Sequence, residues 1–112
     1  MTSYSFADVV LVGFPFTNLQ TAKRRPAVII HSAAYHDRPD VILMAITSPV
    51  REPLAGDEAL VQDWQAAGLA KPSVLKPLIA TLEKDQIVKR LGRLSVRDKV
   101  ALKSVMHIIL GE

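Results

Sequence analysis

The sequence contains no cysteine among its 112 residues. This absence excludes disulfide bonds and catalysis by a thiol, and it removes the thiolate ligands on which most structural zinc sites depend. Long hydrophobic runs are also missing, since the longest, at residues 9–12 and 41–46, fall far short of the roughly 20 residues of a membrane span. Residues 1–5 lack the basic and apolar segments of a secretion signal. We therefore expect a cytoplasmic protein.

The composition is that of a globular protein, because 49% of the residues are hydrophobic. A length of 112 residues predicts a single domain over 1–112. The net charge of +3 is unevenly distributed: residues 71–103 carry nine basic side chains against three acidic ones, whereas residues 37–63 carry six acidic and two basic. The basic half would attract a polyanion or an acidic protein segment, and the charge alone does not choose between them.

Short apolar runs separated by turn-forming residues predict a mainly β protein. The predicted strands span residues 8–14, 26–30, 41–47, 78–82 and 87–91, with a weaker signal at 59–61, a turn of helix at 63–67 and an extended piece at 73–76 between two prolines. Short strands at brief intervals favour a small, strongly bent antiparallel sheet covered on one side by a helix.

That helix is predicted at the C-terminal end of the chain. Residues 95–98 have the form of a capping box, with Ser95 as the N-cap and Asp98 reaching back to it. An apolar stripe at helical spacing follows, and Gly111 is a plausible stop.

The tetrapeptide Arg24-Arg25-Pro26-Ala27 is the strongest candidate for chemistry. A residue before proline favours extended backbone, so Arg25 is expected to project from the start of a strand. A rigidly held guanidinium can give a phosphate two parallel hydrogen bonds. A solvated charge cluster at a strand end is the alternative interpretation.

Six blocks of sequence, in this order and spacing, resemble the MazF/PemK family of metal-independent endoribonuclease toxins. The blocks are residues 8–12 (DVVLV), 14–19 (FPFTNL), 23–28 (KRRPAV), 45–48 (AITS), 68–74 (GLAKPSV) and 87–95 (IVKRLGRLS). Two residues depart from the usual pattern: Ala7 stands where the family usually has glycine, and Gly13 stands where many members have a larger residue.

The resemblance implies an SH3-like, CcdB-like barrel with a C-terminal amphipathic helix, forming a homodimer. It implies that Arg25 and Thr47 are the catalytic residues, and that single-stranded RNA is cleaved by attack of a ribose 2′-hydroxyl on the adjacent phosphate. No metal or other cofactor is implied. The implied partners are single-stranded RNA and a cognate antitoxin whose acidic, flexible segment covers the basic cleft.

This chemistry suits the two side chains, because Arg25 and Thr47 can donate hydrogen bonds to the charge that develops on the phosphoryl oxygens. A guanidinium with a pKa above about 12 is a poor base, and an unassisted threonine hydroxyl is a worse one. The general base is therefore unidentified. His31 and His36 are candidates for a histidine-pair mechanism, with strand-end packing and surface exposure as the alternative interpretations.

A larger set of residues is expected to bind the substrate: Phe16, Thr17, Asn18, Lys23, Arg24, Ser48, Lys71, Ser73 and Lys76. Phe16 would stack on an unpaired base or, equally, pack in the core. The lysines and Ser73 are candidates for contacts to phosphate.

Two other functions stay open at this point. A related barrel could poison DNA gyrase without cutting RNA, or it could bind RNA without catalysis. The Arg-Pro and Ile-Thr-Ser motifs argue against a gyrase poison, which needs neither. The RNA sequence that is cut depends on base-edge contacts that sequence spacing does not reveal.

Overall fold

Six antiparallel strands and one long helix make up the computed structural model, which describes residues 3–13 and 24–111. The strands are β1 (Asp8–Gly13), β2 (Arg24–Ile29), β3 (Asp40–Thr47), β4 (Ala59–Leu60), β5 (Val74–Glu83) and β6 (Ile87–Arg93), followed by helix α1 (Val96–Ile109). The predictions for Phe16, Thr17, Asn18 and Lys23 fall outside the described residues. Within the described part of the chain, no helix is both long and apolar enough to cross a membrane.

The strands form one sheet in the order β4-β5-β3-β2-β1-β6. Successive residues of a strand point to opposite faces, and here both faces are buried. Val9, Val28 and Met44 belong to one apolar cluster with Leu102 of α1, whereas alternate residues such as Val10 and Ala27 belong to a second cluster. The prediction of a bent antiparallel sheet with a helix on one side is confirmed.

The sheet is open. Among the described residues, its edge strands β4 and β6 each pair with one neighbour and do not pair with each other. The segment 61–69, which we call the anchored loop, packs against β6 instead. Gly68 has a φ of +83°, and a Cβ there would collide with the carbonyl of Leu91; a Cβ at Gly92 would collide with Ala67 in turn. Two glycines therefore allow the loop backbone to lie directly on β6.

The prediction of separate strands at 73–76 and 78–82 is wrong, because β5 runs unbroken through Pro77. The pairing with β3 shifts register there: Met44 pairs with Ile79, but Ile46 pairs with Leu75. Pro77 lies within this irregularity, where no regular ladder hydrogen bond is required of its nitrogen. The weak signal at 59–61 is confirmed as β4, only two residues long.

The start of α1 agrees with the predicted capping box at Ser95 but not at Asp98. Ser95 is the N-cap, and its Oγ accepts a hydrogen bond from the backbone N–H of Asp98 at 3.3 Å. The expectation that Asp98 reaches back to Ser95 is wrong, because its carboxylate accepts the backbone N–H groups of Gln62 and Asp63 at 2.9 and 2.8 Å. The fully buried Asp98 thus ties the helix to the anchored loop rather than to its own first turn.

Ala7, where the family usually has glycine, has a φ of +74°. Its N–H donates to the carbonyl of Ile29 at 2.8 Å, and its carbonyl accepts from Leu94 at 3.0 Å. The backbone thus takes a left-handed conformation that glycine adopts without strain, although alanine occupies the position.

Candidate active site

The sheet register aligns four strands at one end of the molecule. Ala27 of β2 pairs with Ala45 of β3, and the same register carried two residues further sets Arg25 opposite Thr47. Thr47 in turn pairs with Val74 of β5, and Val74 pairs with Leu60 of β4. Directly opposed residues point to the same face and have Cα atoms about 5 Å apart. The candidate catalytic residues are therefore neighbours on one face of the sheet.

Two adjoining depressions open on this face. The central cleft, of about 350 Å³, is lined by Arg25, Thr47, Ser48, Pro49, Arg51, Leu54, Glu58, Val74 and Lys76. The side groove, also of about 350 Å³, is lined by Arg24, Arg25, Pro26, Ile46, Thr47, Ser48 and Lys71. Arg25, Thr47 and Ser48 are common to both, so they lie where the two depressions meet.

The local sequence explains how the pair is presented. Arg25 belongs to the exposed first residues of β2 and is paired with Val12 of β1, so its backbone is fixed while its side chain reaches solvent. Thr47 ends β3 and is half-buried between β2 and β5. The apolar residues Ala27 and Ala45, which follow on the same face, are buried beneath them. The side chains of Arg25 and Thr47 thus project from a well-packed part of the sheet.

The structure brings most of the predicted binding residues that it describes to this site. Ser48 and Lys76 line the central cleft, and Arg24 and Lys71 line the side groove. Ser73 is buried, lines neither depression, and donates its hydroxyl to the carbonyl of Lys71 at 2.8 Å. In the structure it orders the turn that carries Lys71.

His31 and His36 lie elsewhere. His31 follows the far end of β2, about 20 Å along the chain from Arg25 at the rise of an extended strand. Its ring is buried beside Tyr35, with Nδ1 3.1 Å from the carbonyl oxygen of Ser32. Neither histidine lines the central cleft or the side groove, so a histidine pair does not act on a group held by Arg25.

Sequence reasoning missed Arg51, Leu54 and Glu58, which line the central cleft. They lie in the connection before β4, and they reach Arg25 only because β5 inserts between β3 and β4 in the sheet. A strand of two residues gives little signal of its own, so nothing local indicated that these side chains face the site. The Oε1 atom of Glu58 accepts the backbone N–H of Ala55 at 3.0 Å.

The chemistry of the central cleft suits an anion. Three cationic side chains, Arg25, Arg51 and Lys76, line it together with the hydroxyls of Thr47 and Ser48. Within residues 3–13 and 24–111, no cluster of three His, Asp or Glu side chains has the geometry to hold a metal ion. The cleft offers hydrogen-bond donors to a phosphate, and Glu58 is the carboxylate in its lining.

Solved structures with the same fold include two endoribonucleases and a MazF protein. The fold is similar to an endoribonuclease from a mycobacterial species (TM-score 0.78, 17% identity, covering 99% of this chain and 94% of that one). It is similar to a mycobacterial endoribonuclease in complex with its cognate antitoxin (0.75, 16%, 99% and 96%). It is also similar to MazF from Deinococcus radiodurans (0.76, 17%, 100% of both).

The sequence itself carries the family assignment. Among curated proteins, none matches this chain. The family model described as PemK-like, MazF-like toxin of type II toxin–antitoxin system matches residues 5–110, which include every described strand and α1. The chain therefore belongs to the PemK-like, MazF-like toxin family of type II toxin–antitoxin systems.

Proposed function

We propose that this protein is an endoribonuclease that cleaves single-stranded RNA without a metal ion. The observation that carries the proposal is that Arg25 of β2 and Thr47 of the neighbouring strand β3 line one cationic cleft. Membership of the toxin family and the endoribonuclease activity of two structural neighbours support it.

In this mechanism the 2′-hydroxyl oxygen attacks the adjacent phosphorus, and the bond to the 5′-oxygen breaks. The products are a 2′,3′-cyclic phosphate and a 5′-hydroxyl end. Arg25 and Thr47 donate hydrogen bonds to the nonbridging oxygens, where negative charge accumulates in the transition state. A preorganised donor of this kind contributes on the order of 100- to 1000-fold in rate. Because the nucleophile belongs to the substrate, DNA resists cleavage.

The partners follow from the same proposal. A cognate antitoxin with an acidic, flexible segment would occupy the cationic cleft and block RNA; one structural neighbour is bound to its antitoxin. A homodimer is supported by Val100, Ile108 and Leu110 of the terminal helix region, which are 61%, 61% and 58% exposed and would be covered by a second copy. The chain acts as one domain in the cytoplasm, where its substrate is found.

Incubation of the purified protein with a long mixed-sequence RNA in excess chelator tests the proposal. We expect discrete cuts that leave cyclic phosphate ends, no cleavage of the matching DNA, and loss of the cuts in Arg25→Ala. Intact RNA under all conditions, or equal cleavage by Arg25→Ala, would contradict it. Gyrase-dependent DNA breakage without RNA cleavage would point instead to a gyrase poison.

A further inference from the structure

Glu58 places a carboxylate in a cleft whose other polar side chains suit phosphate. Among the described residues that line the central cleft, it is the one carboxylate beside the cations Arg25, Arg51 and Lys76. A fixed negative charge repels a bound phosphate, so Glu58 weakens the binding of RNA. Because a carboxylate in this position does not help to bind phosphate, we expect its role to lie in the chemical step.

The register of the sheet fixes where Glu58 faces. Ala59 of β4 pairs with Leu75 of β5, and the same register carried one residue further sets Glu58 opposite Lys76. Lys76 lies two residues from Val74, the partner of Thr47, so Glu58 shares the face of the catalytic pair. Thr47 and Glu58 both line the central cleft, whose volume of about 350 Å³ can hold a ribose and its phosphate.

The carboxylate is held in place by its own turn. The backbone N–H of Glu58 donates to the carbonyl of Ala55 at 3.0 Å, while Oε1 accepts the N–H of Ala55 at 3.0 Å. The ion pairs formed by the described residues do not involve Glu58. Oε1 is thus fixed by the turn, while Oε2 forms none of the described hydrogen bonds.

We propose that Glu58 is the general base that accepts the proton of the attacking 2′-hydroxyl, an inference that rests on the endoribonuclease function proposed above. The proton moves to the Glu58 carboxylate as the 2′-oxygen bonds to phosphorus. The bond from phosphorus to the 5′-oxygen breaks, and the 5′-oxygen takes a proton from solvent. Glu58 then returns its proton to solvent, so one P–O bond replaces another with no net change in protons.

Glu58→Gln separates this role from the structural one. The amide oxygen of glutamine still accepts the N–H of Ala55, so the turn is retained, but the amide accepts no proton near neutral pH. Glu52→Gln is the matched control, because it makes the same change at an exposed residue of the same connection that lines neither depression.

The measurement is single-turnover cleavage of one oligoribonucleotide across the pH range, with binding measured on its 2′-deoxy analogue at the scissile position. We expect Glu58→Gln to cleave about 100- to 10,000-fold more slowly and to lose the rise of rate with pH at the acid side. Its affinity should be equal or higher, because a charge that repels phosphate is gone. Glu52→Gln should match the wild type in rate and affinity.

A second variant covers the case in which Glu58→Gln is misfolded. The cleavage rate of Glu58→Ala should rise at least about tenfold when formate is added, because formate supplies a carboxylate base in the space that the side chain leaves. The wild type should show no such gain. Arg25, Arg51 and Lys76 are the charged groups that line the central cleft together with Glu58.

The outcomes distinguish this inference from the proposed function. If the wild type cleaves no RNA, the endoribonuclease proposal fails. If the wild type cleaves to cyclic phosphate ends but Glu58→Gln keeps its rate and acid-side pH dependence, only the role of Glu58 is overturned. A folded Glu58→Ala without any formate effect would overturn it as well.

Discussion

The central cleft and the anchored loop both concentrate charged side chains, but they use them in opposite ways. In the anchored loop, the Asp63 carboxylate accepts hydrogen bonds from Nε and Nη2 of Arg97, at 2.8 and 2.7 Å, and from the hydroxyl of Ser95 at 2.6 Å. In the central cleft, among the described ion pairs, none involves Arg25, Arg51 or Lys76.

This difference separates charges that hold the fold from charges that face a ligand. A carboxylate that accepts from an arginine and a serine hydroxyl, as Asp63 does, has its hydrogen-bonding capacity used within the protein. Cations that face a cleft without a described carboxylate partner keep their donors for a bound anion. The same distinction applies to β6, where Arg90 and Arg93 lie 3.1 and 3.7 Å from buried Asp8. Part of the basic half of the sequence is therefore structural.

Among the variants that compare the cleft with the loop, Arg25→Lys is expected to have the largest effect. Lysine keeps the charge but not the planar pair of donors, so the cleavage rate should fall about 100- to 1000-fold. The thermal unfolding midpoint should not change, because Arg25 is exposed. Arg97→Lys is the matched control and should show the reverse: an unchanged rate with a lowered midpoint. If both variants lowered the cleavage rate, or both lowered the unfolding midpoint, the charges of the cleft and the loop would not have separate roles.

Next in size is the effect of Gly68→Ala in the anchored loop. A Cβ at this left-handed position collides with the carbonyl of Leu91, so we expect a loss of about 3 kcal/mol in the free energy of unfolding. Gly56→Ala, where a Cβ meets open space, should change it by less than about 0.5 kcal/mol. Urea denaturation of both variants gives the comparison, and equal stabilities would refute the close contact between loop and β6.

Acid should weaken the anchored loop. Hydrogen bonds from Arg97 and Ser95 lower the pKa of Asp63 from 3.8 to about 2. Because the folded-state pKa is the lower one, the stabilisation is complete above about pH 4 and is lost as the pH falls toward 2. Asp63→Asn should flatten this part of the stability profile, measured by thermal unfolding from pH 2 to pH 6. An unchanged slope would show that other carboxylates dominate acid unfolding.

The smallest effect is expected at Ala7. Glycine would relieve about 1 kcal/mol of left-handed strain. It would also remove a buried methyl group worth about 0.8 kcal/mol and make the unfolded chain more flexible. Ala7→Gly should therefore change the free energy of unfolding by less than about 1 kcal/mol in urea titrations. A gain of about 2 kcal/mol or more would mean that the left-handed strain at Ala7 exceeds about 1 kcal/mol.

The features that sequence alone predicted are local ones. The apolar runs of β1 and β3 and the Ser95 N-cap all depend on residues a few positions apart. Arg25 and Thr47 are implied by the family resemblance through two short motifs, residues 23–28 and 45–48. Their positions in the structure agree with the expectation that they face one cleft, while their catalytic roles stay a prediction.

The features that sequence missed depend on distant pairings. The uninterrupted course of β5 through Pro77 requires a register shift against β3, about 30 residues earlier in the chain. Asp98 binds backbone groups 35 and 36 residues away, so a local capping rule assigned it the wrong partner. Glu58 joins the site only through the sheet order. None of these three long-range contacts produces a periodic pattern of residues in the sequence.

Under the function proposed above, the two-residue length of β4 bears on how RNA recognition can change. Arg25 and Thr47 lie on strands that are held in the sheet, whereas Arg51 and Leu54 belong to the irregular connection between β3 and β4. Such connections accept insertions and substitutions at little cost to the fold. Remodelling that one connection would therefore alter the RNA that is recognised while leaving the proposed catalytic pair in place.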